Sequence, residues 1–109
     1  MKERGVVKPN LVLCDTAHCA ALKGAAYLDI EMRIIPFDSN YQMNISKMKS
    51  AIDSQTICVY TSYPNYPFGT ADDIDIIGPY CKRKGIAVHC DMCLGGYVVP
   101  FLDKNWKVP

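Results

Sequence analysis

The chain has 109 residues, half of them apolar, and a formal charge of +1. That is enough for one domain with a buried core, and it leaves no charge excess for a nucleic-acid or membrane-surface partner. No apolar run is long enough for a bilayer-spanning helix, and the start Met1-Lys2-Glu3-Arg4-Gly5 has no signal-peptide apolar region, so the chain reads as soluble. Six cysteines stand at positions 14, 19, 58, 81, 90 and 93. Four of them fall in apolar runs, where cysteine is a small hydrophobe in a reducing compartment.

Leu11-Val12-Leu13 reads as a short strand, followed by Asp15-Thr16 as a capping pair and a helix over the alanine-rich stretch Ala17 to Leu28. Met32 to Phe37 is the next strand, closed by Pro36, and the polar residues from Asp38 to Met43 form a turn. Asn44 then caps a helix whose apolar positions Ile45, Met48 and Ile52 recur at helical spacing. Thr56 to Thr61 is β-branched and apolar throughout, the pattern of a strand covered on both faces. Pro64, Pro67 and Gly69 make Ser62 to Ala71 an irregular loop. Asp72 or Asp73 caps a helix through Ile74, Ile77 and Tyr80 to Lys84, stopped by Gly85, with Lys82-Arg83-Lys84 complementing the dipole at its end. Ile86 to Cys90 is the last clear strand. The order β-α-β-α-β-α-β predicts an α/β fold of alternating β-α units in a mostly parallel sheet, with helices on both faces and right-handed crossovers. Four strands with no closing elements look like the middle of a larger sheet, so residues 1–109 are expected to be a partial domain.

The run Ala87-Val88-His89-Cys90-Asp91-Met92-Cys93-Leu94-Gly95-Gly96 carries an apolar strand into an acid and then into a paired-glycine turn. The rim at the C-terminal ends of parallel strands is where ligands bind. A carboxylate there can accept a charge-assisted hydrogen bond from a protonated heterocyclic nitrogen, and it can equally cap the next turn. Cys90 and Cys93 have CxxC spacing beside His89, but a zinc site needs a second ligand pair that the other cysteines do not provide, and no metal is expected.

The stretch from Val88 to Tyr97 resembles the His-Val-Asp-Ala-Cys-Leu-Gly-Gly-Phe block of the sphingosine-1-phosphate lyase family, pyridoxal 5'-phosphate enzymes of the fold-type I, decarboxylase-like group. Two further blocks agree in order and spacing. Thr16-Ala17-His18-Cys19-Ala20-Ala21 is similar to that family's Ser-Ala-His-Ala-Ala-Phe, and Tyr63-Pro64-Asn65-Tyr66-Pro67-Phe68-Gly69 to its Thr-Pro-Gln-Phe-Pro-His-Gly. The resemblance spans nearly the whole chain. It implies part of the large domain of a PLP-dependent transferase-like fold, in which His18 stacks on the cofactor's pyridine ring and Asp91 pairs with its nitrogen. Ser62 and Cys93 would lie beside the cofactor, with Cys93 either buried and structural or a reactive thiol. Tyr63, Tyr66 and Phe68 would belong to the pocket or its support, and His89, on the same side of the pleat as Asp91, to the support of that acid. Tyr63 and Phe68 depart from the pattern by replacing a small hydroxyl residue and a His or Tyr. Pro64, Pro67 and Gly69 read as shaping the loop, and Gly95 and Gly96 as permitting close backbone approach.

The reaction implied is retro-aldol cleavage of a long-chain base 1-phosphate to a fatty aldehyde and phosphoethanolamine. The resemblance also implies a homodimer, a cytosol-facing enzyme of the endoplasmic reticulum, and a lysine holding the cofactor as an internal aldimine. That lysine belongs to a Ser-x-Asp-x-His-Lys-Tyr block that this sequence does not contain. Lys104 and Lys107 lack its context and are not assigned the role. The upstream phosphate-gripping glycine loop and the small domain are also unmatched, so the chain alone is expected to be inactive. Two other readings stand beside this one: a related amino-acid decarboxylase sharing His18 and Asp91, and a non-enzymatic α/β module bound through open sheet edges.

Overall fold

The computed structural model describes residues 5–102. Within them the chain forms β1 (Asn10–Cys14), α1 (Cys19–Tyr27), β2 (Glu31–Ile35), α2 (Ile45–Ala51), β3 (Thr56–Ser62), α3 (Ile74–Lys84), β4 (Ala87–Asp91) and a short α4 (Gly95–Val98) that runs into a 3-10 turn over Val99–Phe101. The four strands make one parallel sheet in the order β2-β1-β3-β4. Among the described residues no helix is long and apolar enough to cross a membrane.

The crossover from β1 moves to one side of the sheet and those from β2 and β3 move to the other. With right-handed connections, α1 therefore covers one face while α2 and α3 cover the opposite one. The packing agrees. Val12, Cys14 and Val59 lie in one buried cluster with Met48 of α2 and with Ile77 and Cys81 of α3. On the other face Ala21 and Ala25 of α1 are buried, their small side chains letting the helix sit close to the sheet.

Local chemistry sets the boundaries. The Asn44 side chain accepts the Lys47 N–H and starts α2. Asp73 does the same for α3 from the Ile76 N–H, and Gly85, at φ 65°, ends that helix in the left-handed conformation that glycine adopts without strain.

Three expectations need correction. The cap of α1 is His18, and Asp15-Thr16 is not: the chain first turns off the end of β1, closed by Asp15 N–H to Ile35 O at 2.9 Å and Ala17 N–H to Cys14 O at 3.0 Å, so the helix cannot start before Cys19. Among the described residues β3 is not fully covered on both faces, since Cys58 and Tyr60, on the α1 side, are only half-buried. The paired glycines do not form an open turn, because they begin α4.

Candidate functional site

β1 and β3 are neighbours whose crossovers leave in opposite directions, which opens a crevice at their C-terminal ends. A cleft of about 360 Å³ lies there, lined by His18, Ser62, Asn65, Tyr66, Asp91 and Cys93, with Pro64, Gly69 and Leu94 completing its wall. The chain segments leaving β1, β3 and β4 thus converge on one space.

Asp91 ends β4, and each of its three oxygens is engaged. Oδ2 accepts the Tyr60 phenol at 2.6 Å, Oδ1 accepts the Cys93 N–H at 3.1 Å, and the backbone carbonyl accepts the Tyr63 N–H at 2.8 Å. Neither donor to the carboxylate is a cation. In the β3–β4 register Tyr60 pairs with His89 and Ser62 with Asp91, so the phenol reaches the acid diagonally across one pleat. Burial, and then the bond to Asp91, push the Tyr60 phenol above its ordinary range. The His89 ring packs on Tyr60 with centroids 5.0 Å apart and planes 33° apart.

His18 also lines the cleft, and its Nδ1 accepts the Ala20 N–H at 3.1 Å. In the neutral ring the proton therefore resides on Nε2. The His18 ring meets Tyr66 edge to face, 6.5 Å between centroids. The cap and the site residue are thus one side chain.

The loop from Ser62 to Asp73 is held by two residues that the sequence reading missed. Asp72, 2 % exposed, accepts the Met43 N–H at 2.7 Å and the Ser62 N–H at 2.8 Å. Burial raises its carboxyl, and those two backbone bonds oppose the rise. Asn65, buried between the prolines, donates to Tyr41 O at 2.9 Å and Thr70 Oγ1 at 2.6 Å, and accepts the Phe68 N–H at 3.0 Å. Their only signal was residue type, since Asp and Asn in loops bond nearby backbone. The Tyr63-Pro64 peptide is cis, and Gly69 has φ 70°.

Of the expected residues, His18, Ser62, Cys93, Asp91 and Tyr66 line the cleft, whereas Tyr63, Phe68 and His89 do not. Tyr63 acts through its backbone. Phe68 packs with Tyr41 and Phe37, at ring separations of 4.4 and 5.4 Å, in a cluster beside the loop. Gly95 permits close approach, since an added Cβ would collide with Tyr63 O, but Gly96 does not need to, with Met92 Cβ at an ordinary 3.7 Å.

Cys93 is exposed, against the buried alternative, and all six cysteines are free. Burial pushes the thiol of Cys14 up to about 11 and raises that of Cys90. Strand alternation turns Cys90 to the face opposite Asp91, so the CxxC pair does not converge. Among the described residues no three His, Cys, Asp or Glu side chains gather as a metal set. Lys104 and Lys107 lie outside the described residues.

Residues 1–107 match the pyridoxal-dependent decarboxylase conserved domain, and the chain belongs to that family. Its relatives include the sphingosine-1-phosphate lyase of Drosophila melanogaster, 41% identical over 97 residues, which are 88% of this chain and 18% of that protein. A probable L-tyrosine/L-aspartate decarboxylase of Methanospirillum hungatei is 34% identical over 102 residues, 94% of this chain and 28% of that one. The solved sphingosine-1-phosphate lyase of Burkholderia pseudomallei superposes with a TM-score of 0.86 at 31% identity, covering 91% of this chain and 23% of its own. The chain spans about a fifth of the length of the curated lyases it matches. The α/β fold with its parallel sheet is that of the PLP-dependent decarboxylases and lyases, and the family implies pyridoxal phosphate as cofactor.

The residues at the cleft fit that group. A carboxylate with neutral donors and, among the described residues, no cation lines one part, an imidazole whose Nδ1 is already bonded lines another, and Gly95 permits close approach of α4 to the loop at Tyr63.

Proposed function

We propose that this chain forms part of the pyridoxal phosphate site of a carbon-carbon lyase that cleaves long-chain base phosphates, sphingosine 1-phosphate among them, to a fatty aldehyde and phosphoethanolamine. One observation carries the reading: Asp91 reaches the cleft with two neutral donors and, among the described residues, no cation, in a space that the His18 ring also lines. When bound, the cofactor supplies an electron sink for the pair released as the substrate bond breaks. Asp91 would hold a proton on the ring nitrogen, the condition under which that sink works best. His18, fixed by its cap bond, would cover one face of the ring and exclude water there. Ser62 and Cys93 would border the ring, and Tyr66 would close the cleft from the loop side.

The lyase relatives and the Pro64-x-x-Pro67-x-Gly69 and Cys93-Leu94-Gly95-Gly96 blocks favour cleavage between carbons. The decarboxylase relative supports a second reading in which the same His18 and Asp91 serve loss of carbon dioxide. On the lyase reading the working protein is a homodimer at the endoplasmic reticulum, its site facing the cytosol.

The test incubates the intact protein, loaded with cofactor, with sphingosine 1-phosphate and separately with tyrosine, aspartate and glutamate. Aldehyde together with phosphoethanolamine supports the lyase; carbon dioxide and an amine replace it with the decarboxylase. No product with any substrate and no cofactor absorbance refutes both and leaves a binding module.

A further inference from the structure

Asp91 has about four lone-pair positions on its carboxylate, and two of them are used by groups of different reach. The Cys93 N–H is local, two residues along the chain, and follows wherever the turn goes. The Tyr60 phenol comes from the neighbouring strand, 31 residues away in sequence, at the 2.6 Å separation of a charge-assisted O–H to carboxylate bond. Tyr60 is itself held. Its ring packs on His89, its strand is registered against β4 from Cys58↔Ala87 to Ser62↔Asp91, and it does not line the cleft.

We infer that Tyr60 is the positioning residue for Asp91: the phenol, braced by His89, locks Oδ2 and fixes the carboxylate plane, leaving its remaining acceptor capacity to the cleft. The inference rests on the reading of Asp91 as partner of a protonated ring nitrogen. Without the phenol, the Oδ1 bond is the one that remains among the described residues, and the carboxylate can turn about its side-chain bond. A rotated acid meets the ring nitrogen off line, and hydrogen bonds weaken steeply with misalignment.

The titratable groups around the phenol are Asp91, Cys90, Cys93 and the stacked His89. Among the described residues only Asp91 bonds to it. That makes the pair observable without turnover.

The experiment labels the intact protein with tyrosine carrying 13C at Cζ and follows phenol ionisation by NMR, alongside the pH dependence of cofactor absorbance. Tyr60→Phe identifies the Tyr60 signal. In the native protein Tyr60 is expected to ionise above the other tyrosines, and Asp91→Asn is expected to lower its midpoint by about one pH unit or more. An unchanged midpoint overturns the inference. In the loaded protein Tyr60→Phe is expected to move the pH midpoint of the cofactor band in the same direction as Asp91→Asn, by a smaller amount, and to lower kcat about tenfold with KM held within about twofold. A cofactor band that responds to Asp91→Asn but not to Tyr60→Phe sinks the positioning role and leaves the site reading intact. If the Tyr60 midpoint responds to Asp91→Asn while neither variant moves the cofactor band, the pair stands and the reading of the site fails.

Discussion

Asp53 and Asp91 are acids at opposite ends of the same sheet, and the fold treats them differently. Asp53 sits just before β3 and is saturated. It accepts Asn10 Nδ2 at 3.0 Å, the Gln55 N–H at 2.8 Å and, through an ion pair, Arg33 Nη2 at 2.7 Å. Arg33 also pairs with Glu31 and donates to Ala51 O, so the network closes on itself. Asp91, at the end of β4, has a phenol and one amide and, among the described residues, no cation. An acid with its own cation ties strands together; an acid given only neutral donors, at the rim where strand ends open, has room for a cation that arrives from outside. The difference is one of partners, since both are carboxylates at strand ends.

The largest expected effect breaks the Asp91 side. Asp91→Asn preserves shape and the Cys93 bond but removes the charge, and turnover of the loaded protein should fall about 10²–10³-fold, the scale of losing one preorganised electrostatic partner. The urea midpoint should hardly move. Asp53→Asn is the matched control and should leave turnover unchanged. Equal losses in the two variants would erase the distinction between the acids.

A third acid sharpens the comparison. Asp72 is buried like a core residue yet its carboxylate accepts two backbone N–H groups, those of Met43 and Ser62. Asp72→Ala orphans both, at about 1–3 kcal/mol for each unpaired buried group, so denaturant unfolding should show a loss of about 2–4 kcal/mol. Asp72→Asn keeps one acceptor and should lose less. Because burial raises this carboxyl in the fold, its ionised form is paid for at neutral pH: the contribution is fully present below the unfolded value and fades as pH rises through the folded one. The deficit of Asp72→Asn should therefore be greater at pH 3 than at pH 7.

A smaller effect is expected at Gly95. Gly95→Ala pushes a methyl into Tyr63 O and should cost about 1–3 kcal/mol as the loop and α4 move apart, with weaker cofactor binding measured by absorbance titration. Gly96→Ala, with ordinary space around it, should cost far less.

Most of the fold was legible because each element carries its own signal: alternation of apolar strands with capped helices gave four parallel strands in βαβ units, and Asn44 and Gly85 mark boundaries by chemistry that needs no tertiary contact. The start of α1 was misread because Asp15 and Thr16 are good caps by type, while geometry at the end of β1 spends them on a turn. Placement at the cleft was legible where a residue ends a strand, as Ser62 and Asp91 do, or caps the helix that follows one, as His18 does. Tyr60 and Asp72 were not, because what defines them is a partner 31 or 29 residues away, set by strand register and loop packing. Phe68 was open in the sequence between the pocket and its support, and the choice depends on distant partners: its ring packs with Phe37 and Tyr41.

The smallest effect tests Asp53. Hydrogen bonding from Asn10, and then the Arg33 partner and the Gln55 N–H, hold its carboxyl well below the ordinary value of 3.8. The folded state thus releases this proton more readily than the unfolded chain. The stabilisation is complete above the unfolded value and is lost as pH falls from there toward the folded one. The side chain is 42% exposed, so solvent and salt screen much of the interaction. Urea midpoints should show Asp53→Asn slightly less stable than the native protein at pH 7, with the gap narrowing at about pH 3 and in about 1 M salt. A gap that stays constant with pH would show that Asn10 and the backbone bonds, which an amide oxygen can still accept in part, outweigh the charge of Arg33. In that case it is geometry at this end of the sheet, and not its cation, that separates Asp53 from Asp91.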